Sequence, residues 1–314
     1  MKVVVALGGN ALEGEGRDRG YDEQMRHVRT ACMELASLIK QGHQPIITHG
    51  NGPQVGDLAI QQESAREEVP EKPLHLLGAM TQGEIGSMLQ RTLINVLSDR
   101  SRTFPVISVL THTVVDERDP AFATPSKPIG PFYDARTARR LAAERGISVV
   151  KVRPKGRKAY RRVVASPEPL RIVESGVIKQ IVDAGISLIC SGGGGIPVAV
   201  GADGELRGVE AVIDKDLAAE RLAEDVRADG LLILTDVDRV KLDFGKPTER
   251  GLRNMSVAQA KAWTRQGQFL PGSMLPKVEA CTRFVERGGR TAVIAKLGSA
   301  VKALEGGAGT TFTR

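Results

Sequence analysis

The chain has 314 residues, of which 41% are hydrophobic and 26% are charged, and its formal net charge is +7. This balance excludes a disordered or fibrous protein, and the length fits two α/β lobes or one large α/β domain. Aromatic residues make up only 4% of the chain, which disfavours an all-β binding module and suits parallel strands that are covered by helices.

The first third of the chain alternates short apolar runs with helical periodicity. A predicted strand at residues 3–7 stops at Gly8 and Gly9, and an amphipathic helix then runs to Gly42. Apolar residues that recur at steps of three and four predict helices, whereas short apolar runs bounded by glycine predict strands. On this basis further strands are predicted at 45–48 and 105–110, and helices at 54–65 and 74–97.

A proline-rich stretch from 116 to 131 interrupts the alternation and is predicted to be an irregular loop. Loops of this length are usually functional or open an inserted subdomain. A helix near 134–145, a strand near 147–152 and the run RVVAS complete an expected insertion at about 117–166.

The excess positive charge is local. Residues 151–162, KVRPKGRKAYRR, hold seven basic and no acidic residues, so the rest of the chain sums to zero. Only Tyr160 is interleaved with these cations, whereas nucleic-acid surfaces usually combine charge with aromatic or groove-reading elements. We therefore predict a solvated arm and no nucleic-acid partner.

The second half repeats the α/β alternation, and Asp203-Gly204 predicts a hairpin turn. The two halves together favour a doubly wound α/β sheet. Predicted helices lie near 171–184, 216–226, 257–266 and 274–287, with a short one at the end. Predicted strands lie at 186–190, 208–213, 230–235 and 291–295.

The cysteines and the apolar runs indicate the expected compartment. Three cysteines far apart in sequence form neither a disulfide framework nor a metal-binding pair, which favours a reducing, cytoplasmic location. The apolar run at the N-terminus ends at Gly8 and is too short for a signal peptide. No run approaches the length of a membrane span, so we expect no membrane partner.

Three glycine-rich loops each follow a predicted strand, at residues 6–10, 48–52 and 190–195. Glycine at such junctions lets backbone N–H groups point at an anion. A strand-ending glycine or a flexible linker is the ordinary alternative for any one loop. Neither the P-loop pattern nor the dinucleotide-binding fingerprint is present, so these loops predict a different kind of phosphate site.

Three lysines stand where a phosphate site would use them. Lys215 and Lys277 occupy predicted first turns of helices, and Asp214 is the expected N-cap before Lys215. Lys127 lies between two prolines in the predicted long loop. Each lysine by itself is equally consistent with a solvated surface position.

The ordered set of motifs resembles the carbamate kinases of the amino-acid kinase superfamily over essentially the whole chain. The motifs are ALGGNAL, HGNGPQVG, AMTQGEIG, KPIGPFY, CSGGGGIPV, GVEAVIDKDLAAE, ILTDVD and GSMLPKVEA. Leu275 departs from the pattern, because the family usually has a smaller residue there.

The resemblance implies a homodimeric αβα sandwich on a central, largely parallel sheet of about eight strands. Residues 1–190 would form a lobe that binds carbamate, and residues 191–314 a lobe that binds ATP or ADP, with the insertion as a protruding subdomain over the substrate. The implied reaction is reversible phosphoryl transfer between ATP and carbamate, with Mg²⁺, giving ADP and carbamoyl phosphate. In arginine breakdown this reaction runs toward ATP.

The resemblance also implies roles for single residues. The expected catalytic residues are Lys127, Lys215, Asp216, Lys277 and Asn10, with Asp216 orienting the lysines and Lys127 reaching down from the subdomain. The expected substrate-binding residues are Gly8, Gly9, Gly50, Asn51 and Gly52. The expected nucleotide-binding residues are Asp214, Thr235, Asp236, Val237, Met274 and Lys277. No protein metal ligands are implied, because Mg²⁺ would be held mainly by nucleotide phosphates.

Other readings of the sequence stay open. Another acyl-phosphate-forming kinase of the superfamily, acting on acetylglutamate or aspartate, is the nearest alternative, and the long KPIGPFY insertion favours carbamate over these larger acceptors. A nucleotide-binding regulator without turnover is a further alternative, as is a nucleic-acid binder that uses residues 151–162. His49 adjoins a predicted ligand loop but has no nucleophile partner, so we predict a structural role for it.

Overall fold

The structure is a computed structural model that describes residues 1–9, 12, 20–98, 104–152 and 156–314. The described strands, in chain order, are β1 Lys2–Leu7, β2 Gln44–His49, β3 Val106–Ser108, β4 His112–Val114, β5 Lys127–Asp134, β6 Val149–Lys151, β7 Lys158–Val164, β8 Arg171–Ile172, β9 Ser187–Ile189, β10 Ile196–Val200, β11 Leu206–Gly208, β12 Gly230–Thr235, β13 Lys241–Leu242, β14 Arg250–Gly251, β15 Asn254–Ser256, β16 Thr291–Lys296 and β17 Thr310–Thr313.

The described helices are α1 Tyr21–Lys40, α2 Gly52–Ala65, α3 Leu74–Leu97, α4 Pro120–Ala123, α5 Ala135–Arg145, α6 Ser175–Asp183, α7 Lys215–Asp225, α8 Val257–Arg265, α9 Met274–Glu286 and α10 Ala300–Leu304. None of them is both long enough and apolar enough to cross a membrane.

The central sheet has eight strands in the order β15-β17-β16-β12-β1-β2-β9-β3. All neighbours run parallel except β16 and β17. β1 lies in the middle, paired with β2 on one side and with β12 from the second half of the chain on the other. The predicted parallel α/β sheet is therefore confirmed, and one sheet joins both halves.

Helices cover both faces of this sheet because the side chains of its strands alternate in direction. Along β1, Val3, Val5 and Leu7 pack into a core with α1, α3 and α10, whereas Val4 and Ala6 pack on the opposite face with α6, α7, α8 and α9. The result is the expected three-layer αβα sandwich, in which buried aliphatic strands explain the low aromatic content.

The small subdomain consists of residues 127–164 and has its own three-stranded antiparallel sheet, β5-β7-β6, with α5 packed on it. Asp134 caps the start of α5 by accepting a hydrogen bond from the Thr137 amide, and Gly146 ends the helix with a φ of 62°. β5 also packs on α2, where a Cβ added at Gly56 would lie 3.2 Å from the Gly130 Cα.

Two sequence predictions are wrong in detail. The predicted loop at 116–131 already contains α4, and β5 begins at Lys127. β5 is an edge strand, where Pro128 and Pro131 are tolerated because no neighbour requires their missing N–H groups. The basic run is likewise not a free arm throughout, because its last five residues begin β7.

The predicted strand at 208–213 does not form as one strand, because Gly208 ends β11 and a bend follows at Glu210. Beyond β11 an isolated bridge joins Ala211 to Ala165, and the Val212 amide donates to the Ala165 carbonyl. The hairpin predicted just before it is confirmed, since β10 and β11 pair antiparallel and Gly204 has a φ of 83°.

Candidate functional site

Three glycine loops leave the same edge of the central sheet. Leu7 at the end of β1 is in register with His49 of β2 and with Leu234 of β12, so their carboxyl ends coincide. The Gly50 amide donates to the Leu7 carbonyl, and the Gly8 amide donates to the Leu234 carbonyl, both at 3.0 Å. Ligands of open α/β sheets bind beyond this edge, which places the predicted loops at the expected position.

Gly9, Gly50 and Lys215 meet at this edge. A Cβ added at Gly50 would lie 2.8 Å from the Gly9 nitrogen and 3.4 Å from the Lys215 Cδ. The two loop backbones therefore approach closely beside a lysine stem, which requires glycine at position 50. Gly52 is the first residue of α2, so the N-terminus of that helix adjoins the same loops.

The third loop adopts backbone conformations that favour glycine. Gly193, Gly194 and Gly195 have φ values of 65°, 91° and 90°. A Cβ at Gly193 would lie 2.1 Å from the Asn51 Nδ2, and one at Gly194 would lie 2.7 Å from the Ile213 carbonyl oxygen. The loop is thus wedged between the predicted acceptor loop and the segment that leads to Lys215, and it is not a linker.

Two polar side chains of α3 hold these loops, although the sequence analysis gave them no role. Asn51 Nδ2 donates to Thr81 Oγ1 at 2.9 Å. Gln82 Nε2 donates to the carbonyls of Thr111 and Gly192, both at 3.1 Å, and Gln82 Oε1 accepts from the Thr111 amide. The side chains of Thr81 and Gln82 are both buried. The sequence feature that could have identified them is a pair of polar residues on the buried face of an apolar helix.

Asp216 joins two predicted catalytic lysines. Its carboxylate accepts from Lys215 Nζ on one oxygen and from Lys277 Nζ, at 2.8 Å, on the other. The exposed fractions of the side chains are 12% for Lys215, 4% for Asp216 and 13% for Lys277. The structure therefore brings α7 and α9 together through a buried cluster of two cations and one anion.

The local sequence explains why this cluster stands at a helix start. Asp214 caps α7, because its Oδ1 accepts from the Asp216 amide at 2.9 Å. Lys215 is the first residue of α7, and Lys277 lies in the first turn of α9. Helix N-termini carry partial positive charge, so both lysines add to a region that already attracts anions.

The charges of the cluster shift the pKa values of its members. Burial by itself raises the pKa of Asp216, but Lys215 and Lys277 outweigh it and hold that pKa well below its ordinary range. Burial lowers the pKa of Lys215. Burial also disfavours the charged form of Lys277, yet attraction to Asp216 is stronger and raises its pKa. The single negative charge of Asp216 balances only one of the two lysine charges, so one positive charge remains available to attract an anion.

Lys127 reaches the site from the small subdomain. Its Nζ lies 3.1 Å from the Ile213 carbonyl oxygen and 3.3 Å from Asp214 Oδ2. Because Ile213 and Asp214 directly precede Lys215, the start of β5 lies against the start of α7. The structure thus brings all three predicted lysines to one place.

The residues expected around the nucleotide lie at the same sheet edge. Thr235 ends β12, its Oγ1 donates to Asp236 Oδ1 at 2.9 Å, and Val237 follows. Asp236 also contributes to the raised pKa of Lys277. Met274 begins α9 and packs against the core, as does Leu275. Asn10, the remaining predicted residue, lies outside the described residues.

His49 is buried, and its structural role fits the geometry. Its Nδ1 donates to the Gly50 carbonyl at 3.0 Å, and a Cβ at Gly192 would lie 2.3 Å from its Nε2. Burial is the main reason that its pKa falls to about 4, so the ring is neutral at pH 7. A neutral ring packed between two loops supports their backbones.

The described residues contain no group of three or more His, Cys, Asp or Glu side chains placed to hold a metal ion. Asp216 is engaged by both lysines, so its oxygens are not open metal ligands. The site can therefore bring cations and backbone amides to anionic groups, which is the chemistry of phosphoryl transfer.

Comparison with known proteins gives one family. The model of the amino acid kinase family matches residues 1–296. A carbamate kinase of Thermococcus kodakarensis is 49% identical over 100% of this chain and 99% of its own length, and one of Clostridium perfringens is 45% identical over the whole of both chains. The solved structure of Giardia lamblia carbamate kinase bound to AMP-PNP has a TM-score of 0.91 and 40% identity, and the match covers 99% of this chain and 98% of that one.

Proposed function

Because the chain belongs to the amino acid kinase family, we propose that it is a carbamate kinase, which transfers a phosphoryl group reversibly between ATP and carbamate. The products of the forward reaction are ADP and carbamoyl phosphate. The observation that carries this proposal is the buried pair of lysines on Asp216, which stands where the glycine loops meet at the sheet edge. The identity of 43–49% to curated carbamate kinases favours carbamate over other acceptors.

The chemistry needs positive charge and needs no proton transfer to begin. Carbamate is already an anion, so its oxygen attacks without a general base; the obstacle is its repulsion from the γ-phosphoryl oxygens. Two unit charges about 4 Å apart interact by about 1 kcal/mol in water and about 4 kcal/mol at an effective dielectric of 20. A partly enclosed site must therefore supply cations, and Lys215 and Lys277 are only 12% and 13% exposed.

The proposed roles follow the positions of the residues. Lys215 lies beside Gly9 and Gly50 and would neutralise the transferred phosphoryl group, while Asp216 sets the separation of the two ammonium groups. Lys277, near Asp236, would contact the nucleotide phosphates. The anionic oxygens would bind the backbone amides of Gly8, Gly9 and residues 50–52. Lys127 would cover the site from the side of the small subdomain.

The nucleotide would enter as its Mg²⁺ complex, with the metal held by phosphate oxygens. The engagement of Asp216 by two lysines supports this arrangement, because it leaves that carboxylate without an open oxygen for a metal. The ion would reduce the negative charge of the polyphosphate, and the protein lysines would act on the charge that remains.

We also propose a division into two lobes and a homodimer. Residues 1–190 would bind carbamate and residues 191–314 the nucleotide. Leu76 and Met80 on α3 and Leu206 on β11 are exposed apolar side chains. A Cβ at Gly208 would lie 2.4 Å from the His75 ring, so α3 and β11 adjoin and could share an interface. Light scattering on the purified chain tests the dimer.

A cytoplasmic location is part of the proposal, supported by three free, buried cysteines. Burial raises the pKa values of their thiols above the ordinary range, which keeps them unreactive.

The direct test is to incubate the protein with ADP, Mg²⁺ and carbamoyl phosphate and to measure ATP with luciferase. We expect ATP with carbamoyl phosphate and none with acetylglutamyl phosphate or aspartyl phosphate. ATP formed from either of the latter would identify another acyl-phosphate kinase. Measurable ADP binding without turnover on any of the three would identify a regulator.

A further inference from the structure

The small subdomain, residues 127–164, carries a larger net positive charge than the whole chain does. It contains twelve basic residues and two acidic ones, Asp134 and Glu144, for a net charge of +10. Since the whole chain carries +7, the remaining residues sum to −3. The asymmetry therefore belongs to the whole subdomain and is larger than the basic run at 151–162 indicated.

Some of these cations serve the contact with the rest of the protein. Lys127 pairs with Asp214, Arg145 with Glu63 and Glu71, and Arg162 lies 4.0 Å from Glu210. Within the subdomain, Arg161 donates to the Gly130 carbonyl of β5 at 3.0 Å. The charges of these four residues are therefore engaged in contacts within the protein.

Six other cations of the subdomain are exposed and have no ion pair within the part of the chain that the structure describes. Three lie on α5 and three on or beside the β6 and β7 hairpin. They are Arg136, Arg139, Arg140, Lys151, Arg157 and Lys158. No ion-pair partner neutralises these charges within the described part of the chain, so together they give this small body a positive potential.

The strand register places Lys127 and the exposed Lys158 at opposite ends of the subdomain. β5 and β7 pair from Lys127 with Val164 at one end to Asp134 with Lys158 at the other. Lys127 is the residue that contacts Asp214 at the start of α7. The seven steps of β5 span about 23 Å at 3.3 Å per residue, so the distal end, which carries Lys158, lies about that far from Lys127 and acts on the lysine cluster through its field rather than by contact.

We propose that the positively charged surface of the small subdomain attracts the anionic nucleotide and so steers it electrostatically toward the site. This inference rests on the proposed function, in which ADP and ATP are the most highly charged reactants. A surface field of one sign raises the rate of encounter with an oppositely charged ligand by about 10- to 1,000-fold, and salt suppresses the effect. A nucleic acid is less well matched, because Tyr160 is the only aromatic residue within the basic run at 151–162.

The test measures the association rate of a fluorescent ADP by stopped flow. The neutralised variant carries Gln at all six exposed cations of the subdomain. The matched control carries Gln at six exposed cations elsewhere, Lys40, Arg250, Arg253, Arg265, Arg290 and Lys302. At about 0.01 M ionic strength, where the Debye length is about 30 Å, we expect the neutralised variant to bind about tenfold more slowly than the parent. The control should differ less than twofold.

Salt must remove the difference if steering is its cause. At about 1 M ionic strength the Debye length is about 3 Å, and the rates of the three proteins should converge. Dissociation rates and turnover at saturating ADP should be equal throughout. A difference that persists at high salt, or an equal loss in the control, overturns the proposal.

Two further outcomes separate this proposal from its premise. If the parent protein does not bind ADP, the proposed function fails, and steering fails with it. If ADP association is unchanged in the neutralised variant while salt-sensitive retention on duplex DNA is lost, the surface is a nucleic-acid site and steering is wrong.

Discussion

Lys127 Nζ lies 3.3 Å from Asp214 Oδ2, and the other oxygen of the same carboxylate accepts the Asp216 amide at 2.9 Å. One side chain therefore fixes two things: the start of α7, which carries Lys215, and the position of the small subdomain's first strand. Because a different oxygen of Asp214 makes each of these two contacts, a substitution at Asp214 can separate helix capping from the placement of Lys127.

Asp214→Asn should lower kcat by about tenfold with a small effect on the free energy of unfolding. Asparagine is a good N-cap and preserves the bond to the Asp216 amide, but it loses the charge that attracts Lys127. Asp214→Glu keeps the charge with a poorer cap, so it should lose stability and retain more activity than the asparagine variant. Steady-state kinetics and urea unfolding measure both effects.

A double-mutant cycle checks the coupling. Lys127→Ala combined with Asp214→Asn should lower kcat little more than Lys127→Ala alone, because the two residues act through one contact. Fully additive losses would mean that Asp214 acts on something other than Lys127.

Lys215→Ala should lower turnover by about a hundred- to a thousandfold, the usual cost of removing one preorganised charge donor. Lys127→Ala should cost less, since Lys127 is the more exposed of the two side chains. Lys241→Ala is the matched control, because it removes a surface lysine paired with Glu249. ATP formation at the parent rate by the Lys215 variant would refute the assigned role.

Gly50→Ala should destabilise the fold by about 1 to 3 kcal/mol and abolish most activity, because overpacking forces a backbone shift. The new methyl group would lie 2.8 Å from the Gly9 nitrogen, which is backbone and cannot rotate away. Gly83→Ala in α3 has no atom within 4 Å of its added Cβ and should be neutral or stabilising. Thermal and urea unfolding compare the two; equal stability would contradict the close approach of the loops.

Glu220 should make stability fall as the pH rises. It is buried on α7, with Glu224 beside it and Arg287 Nη1 at 3.2 Å, and burial followed by the hydrogen bond to Glu224 raises its pKa to about 8. Between the unfolded pKa near 4.5 and the folded value near 8, the folded state holds the extra proton. Stability therefore declines across this window, by at most about 1.4 kcal/mol per pH unit.

Glu220→Gln mimics the protonated acid and should remove this slope. We expect unfolding free energies close to the parent's at pH 4, below the unfolded pKa, and higher than the parent's at pH 7.5. Glu67→Gln, at an exposed position, serves as the control and should follow the parent at both pH values. Parallel curves for the Glu220 variant and the parent would show that the carboxyl is ionised in the folded protein.

The sequence predicted the local elements well because their signals are local. Glycines at strand ends, apolar periodicity and N-caps such as Asp214 depend on a few neighbouring residues, and α1, α3, α7 and β12 follow them closely. The predictions were wrong where the local structure depends on contacts with residues that are distant in the sequence. The segment at 208–213 has the apolar pattern of a strand, yet its backbone amides bond to two separate places in the chain, Val209 to the Pro197 carbonyl and Val212 to the Ala165 carbonyl.

The sequence by itself determined the candidate site residues: glycines that free backbone amides, and lysines at helix starts. The tertiary structure decided what these residues contact, because Asp216 and Lys277 are 61 positions apart and only the packing of α7 on α9 joins them. It also decided that Gln82 supports the glycine loop and that Lys127 and Lys158 lie at opposite ends of the small subdomain. Contacts across the sheet edge depend on the order of the strands, which no local pattern encodes.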